Sequence, residues 1–108
     1  MRLAYAHQAM ITTTGDDREP GAAITVALCG HWDHEPPCPL APHHVAAARE
    51  GDAVRLRVLF VTEPHHVDEV RQRIDDALAA GDWRLIESGP AGVDPGEWDH
   101  ARRLFKTR

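Results

Sequence analysis

No stretch of this sequence approaches the roughly 20 consecutive apolar residues that a membrane-spanning helix needs. The first residues, Met1-Arg2-Leu3-Ala4-Tyr5-Ala6-His7, also lack the apolar run and small-residue cleavage pattern of a secretory signal. These two absences lead to the expectation of a cytoplasmic protein without a membrane partner. Cysteine occurs only at positions 29 and 38, too few for a disulfide framework, so both are expected as thiols. A basic block is missing as well. Twelve Lys plus Arg face 17 Asp plus Glu, and the formal charge of -5 would repel a polyanion, which argues against nucleic acid as a partner. Lys106 is the sole lysine, and no function follows from that. Internal repeats, a glycine-rich phosphate loop, a serine nucleophile elbow and a dinucleotide fingerprint are all lacking.

What is present is an ordinary globular balance, 43% hydrophobic and 27% charged in 108 residues, which fits a single domain over 1–108. Residues 3–13 alternate loosely, and the turn-forming stretch Gly15 to Gly21 separates them from Ala22 to Leu28, rich in β-branched and small residues. These two runs read as a hairpin. On such a second strand Cys29 and His31 would share a face, because successive strand side chains alternate. Pro42 reads as the start of a short helix over 43–50, closed by Gly51 in a left-handed conformation. The clearest strand is 53–62, with Val54, Leu56, Val58 and Phe60 on one face, and Arg55, Arg57, Leu59 and Val61 on the other.

The clearest helix follows, with Val67, Val70, Ile74, Ala77 and Leu78 at helical spacing and a stop at Gly81. A short strand, 83–87, is broken by Gly89-Pro90-Ala91-Gly92. Asp94-Pro95-Gly96-Glu97 then has the pattern of a capping box, opening a helix with Trp98, Ala101, Leu104 and Phe105 on one side. The resulting fold class is α/β (α+β): a single-layer mixed sheet of about four strands with helices on one face, in the order ββαβαβα. Ala27, Leu59, Val61 and Ile86 would then leave an apolar area on the opposite face, from which a homodimer is expected.

Histidine is abundant, at eight residues, and four of them fall between His31 and His44 with Cys38 among them. The loop 30–44 contains His31, His34, Cys38, His43 and His44, four imidazoles and a thiol, enough for a tetrahedral zinc site with a ligand to spare. Prolines 36, 37, 39 and 42 would stiffen the wrap. Asp33 and Glu35 could orient the liganding rings, and Trp32 could shield them. Copper or nickel would also accept imidazoles. The leading expectation is thus a small metal-binding protein holding zinc through His31, His34, Cys38 and one of His43 or His44. An open coordination position would instead give a zinc-dependent hydrolase, and a third alternative is a non-catalytic interaction module. His65 and His66 at a helix start are expected to be solvated, His7 to lie in or on the sheet, and His100 to face solvent. Cys29 is expected to be buried, and Cys38 is a weaker candidate as a nucleophile.

Overall fold

Strand β3 (Ala53–Thr62) organises the molecule because both of its faces are apolar along its second half. The computed structural model describes residues 1–29 and 41–106. On either side of β3 lie β1 (Leu3–Thr12) and β2 (His43–Glu50), and β4 (Arg84–Ala91) pairs with the far side of β1. The four-stranded sheet has the order β2-β3-β1-β4, and every neighbouring pair is antiparallel. Helix α1 (Glu19–Cys29) connects β1 to β2, and α2 (Val67–Ala80), entered through a 3-10 turn at Pro64–His66, connects β3 to β4. This is the doubled split β-α-β arrangement called ferredoxin-like. Helix α3 (Trp98–Phe105), entered through a 3-10 turn at Pro95–Glu97, is added at the end.

The α+β class and the four strands agree with the sequence expectation, but the order is βαββαβα and the sheet is wholly antiparallel. Two segments exchanged roles. Residues 22–28 are helical despite Ile24, Thr25 and Val26, because Pro20, Ile24 and Leu28 recur every four residues and are buried together. Asp16 accepts the Arg18 backbone N–H at 2.9 Å and Glu19 lies in the first turn, both signals of a helix start. Residues 43–50, rich in the helix formers Ala, Arg and Glu, are a strand because β3 offers them a ladder and Gly51-Asp52 closes a two-residue hairpin. Gly51 has φ of 64°. The left-handed conformation expected there is present, in a hairpin turn rather than at a helix end. The expected break at Gly89-Pro90 does not occur either, since β4 runs on to Ala91.

Helices occupy both faces of the sheet, a second difference from expectation. One face carries the main core, in which Phe60, Leu56 and Ile11 pack against Ile24 and Leu28 of α1 and Val70, Ile74 and Leu78 of α2. On the other, Ala101 and Leu104 of α3 cover Leu59 and Val61. The far-face apolar area expected from Ala27, Leu59, Val61 and Ile86 is therefore not one surface. Leu59 and Val61 are sealed within the chain, Ala27 belongs to α1, and Ile86 remains exposed. No described helix is long and apolar enough to cross a membrane.

Candidate functional site

Strand alternation sends the adjacent His43 and His44 to opposite faces of β2. On the α1 face, His43 Nε2 lies 3.0 Å from Thr25 Oγ1 and its Nδ1 lies 3.1 Å from the Ala41 carbonyl oxygen. That carbonyl can only accept, so Nδ1 carries the proton. On the other face, the His44 ring lies against His100 of α3 with centroids 4.0 Å apart and planes at 31°. Burial, and then the charges of His100 and Arg103, hold the His44 pKa below the usual histidine value. The two rings diverge, so they do not converge on one ion. His31, His34 and Cys38, with Trp32, Asp33 and Glu35, lie outside the described residues. Among the described residues no group of three or more His, Cys, Asp or Glu could hold a metal ion. This overturns the expectation of a metal-binding protein and, with it, the zinc-hydrolase alternative.

A second constellation has the residue types of a hydrolytic triad without its wiring. His7 of β1 is 1% exposed, as expected for a sheet residue, and its Nε2 lies 2.7 Å from Ser88 Oγ and 3.3 Å from Asp75 Oδ1. Ser88 in turn donates to Asp75. In a triad the carboxylate would hold Nδ1 and leave Nε2 free to take the serine proton. Here Arg71 Nη1 donates to Nδ1 at 3.0 Å, so the lone pair sits on Nδ1 and the proton on Nε2. Nε2–H donates to Ser88, which passes its own proton toward Asp75. His7 has no free base to offer Ser88, and burial lowers its pKa further. The cluster fastens α2 to the sheet: Arg71 also donates to the Ala6 carbonyl at 2.8 Å. His65 and His66 make an edge-on ring contact at 4.3 Å at the mouth of α2, and both carry solvent exposure.

One concave feature lies between α1 and the outer edge of β2. It is an open groove of about 490 Å³, walled by Arg18, Gly21, Ala22 and Thr25 on one side and by His43, Val45 and Ala47 on the other. A Cβ on Gly21 would come 3.5 Å from Val45 Cγ1, which shows how close α1 sits to the strand.

The floor of this groove is backbone. Antiparallel ladders bond alternate residues. Val61 N–H donates to the Pro42 carbonyl at 3.0 Å, which fixes the phase: His44, Ala46, Ala48 and Glu50 bond to β3. The N–H and C=O groups of Val45, Ala47 and Arg49 point outward. Among the described residues no strand lies beyond them.

The two sheet edges are treated differently. In β4 the same phase argument turns the nitrogen of Pro90 outward, where its missing N–H blunts the edge, and the β1–β4 register shifts at Met10/Ile11. Strand β2 contains no proline, no lysine and no register shift, and Ala46 to Glu50 are all exposed. Sequence reasoning missed this edge because a triple-alanine run reads as helix. The Gly-Asp pair between two runs was the signal that could have found it.

Comparison with protein-family models and with curated proteins finds no match.

Proposed function

We propose that the chain is a non-catalytic interaction module that takes an extended segment onto the edge of β2 that is unpaired among the described residues, beside α1. In this mode main-chain hydrogen bonds give affinity and alternate side chains of the added strand give selectivity. The observation that supports it is the contrast between the two edges: a Pro-blunted β4 and a β2 whose odd-numbered residues offer their backbone groups outward over a groove. The groove would receive every second side chain of the added strand. Its walls are small at Gly21, Ala22 and Ala47, with polar groups at Thr25 and the His43 imidazole, and the Arg18 cation is already answered by Asp16 with Asp17 beside it, so medium-sized uncharged residues would fit best.

The test is a displayed library of short random peptides selected on the protein, followed by amide hydrogen exchange with a selected synthetic peptide. Slower exchange at Val45, Ala47 and Arg49, and loss of binding in Ala47→Pro, are the expected results. Proline at 47 removes an outward N–H while leaving every bond to β3 in place. Peptides that bind without slowing those amides, or that bind Ala47→Pro as well as wild type, would refute the reading.

A further inference from the structure

The β2 edge has a definite best partner when its own sequence is laid against it, and we infer that a second copy of this chain pairs there, β2 against β2, about a two-fold axis at Ala47. The inference rests on the edge-binding reading above. Two such strands bond only if outward residues meet outward residues. Odd positions must therefore face odd positions, which removes half of all registers. With Ala47 opposite its own copy, Val45 faces Arg49 and Ala46 faces Ala48. His44 then faces Glu50 at both ends, so an imidazole N–H, a hydrogen-bond donor, meets a carboxylate twice. Centring the pair on Ala46 instead would set His43 against Arg49 twice and lose the carboxylates. Centring it on Ala48 shortens the overlap to 46–50.

The surroundings suit the Ala47 register. Glu50 already faces Arg55 at 3.5 Å on the same side of the sheet, with both side chains largely in water, so a partner His44 would join an existing exposed pair. Arg49 is turned back toward the Thr13 and Gly15 carbonyls, which its guanidinium reaches at 3.0 and 2.6 Å, and does not cover the edge. Three consecutive alanines at the centre offer no side chain that would clash. A two-fold axis normal to the sheet gives one continuous eight-stranded sheet with α1 and α2 of both copies on the same side. Its two outer edges are both β4, each blunted by Pro90. Self-pairing therefore removes the inviting edge found among the described residues of each copy and stops at two, as a closed isologous interface should.

The experiment is sedimentation of the wild-type chain over a concentration series, paired with amide hydrogen exchange at the two ends of that series. A reversible dimer is expected, with exchange at Val45, Ala47 and Arg49 slowing as it forms. Ala47→Pro, and separately Ala47→Glu, which sets two carboxylates face to face at the axis, should weaken the dimer roughly 10- to 100-fold with unchanged circular dichroism. A concentration-independent monomer would overturn the proposal, as would a dimer whose three amides exchange as in dilute protein, or one that neither variant weakens. A monomer that still selects peptides onto the edge would leave the edge-binding reading standing. A chain that does neither would remove both.

Discussion

Arg57 on β3 grips Glu97 with both arms: Nε reaches one carboxylate oxygen and Nη2 the other, each at 2.8 Å. The same carboxylate accepts the Asp94 backbone N–H at 2.9 Å, closing the capping box that starts the turn into α3. The guanidinium also donates to Gln8 Oε1 at 3.2 Å and to the Gly92 carbonyl. One arginine thus ties the last helix, its lead-in turn and β1 to the central strand. Bidentate arginine–carboxylate pairs are among the stronger hydrogen-bonded contacts, and this one is three-quarters buried, with side-chain exposures of 22% and 23%.

Glu97→Ala should therefore cost about 1–3 kcal/mol of stability, read as a lower urea midpoint, and Arg57→Met should cost a similar amount. The double variant should cost much less than the sum, because one interaction is lost twice. Full additivity would mean the pair carries no coupling. The Arg57 hydrogen bond holds the Glu97 pKa below the ordinary glutamate value. The stabilisation is accordingly full above about pH 4.5 and disappears as the pH falls through the lowered folded value.

Two histidines, His7 and His44, act in the same direction but at higher pH. His7 has its pKa lowered chiefly by burial, and His44 by burial and then by His100 and Arg103. The unfolded chain takes up a proton near pH 6.5 and the folded chain only at lower pH, so stability is full above that value and declines below it. Unfolding free energy should drop between about pH 7.5 and pH 5.5, and the slope should flatten in His7→Gln and in His44→Gln, whatever their absolute stabilities. A pH-independent unfolding free energy over this interval would contradict the assignment.

Gly81 ends α2 for a reason of space. Its φ is -84°, open to any residue, but a Cβ there would fall 2.0 Å from the Trp83 ring. Trp83 is itself held by its indole N–H, which donates to the Leu78 carbonyl at 2.7 Å. Gly81→Ala should displace the ring and cost about 1–3 kcal/mol, as overpacking does. Thermal unfolding measures the loss, and a red-shifted tryptophan emission checks the cause.

Gly51 is constrained by conformation instead. With φ at 64° and open space around its Cα, Gly51→Ala should cost about 1–2 kcal/mol through backbone strain alone. A cost near zero by chemical denaturation would mean that the hairpin changes turn type.

Strand β3, helix α2 and the capping box before α3 were legible in the sequence because each is specified locally. The period-two pattern over 53–62, the 67–70–74–78 stripe and the Asp94/Glu97 pair need no knowledge of their neighbours. Residues 22–28 and 43–50 were not, because their propensities point one way and their packing the other. Three alanines become a strand where β3 pairs with them, and Ile-Thr-Val becomes a helix where Ile24 and Leu28 share a buried stripe with Pro20.

The site divides along the same line. The sequence alone determined that four histidines cluster between His31 and His44, and it placed His43 and His44 at a helix start. Only the tertiary structure decided that these two rings point to opposite faces, because strand geometry alternates side chains where a helix or loop would not. It also decided that β2 lies at an edge. Which strands are central and which are outermost is a property of how distant segments pair, and no local pattern of residues encodes it.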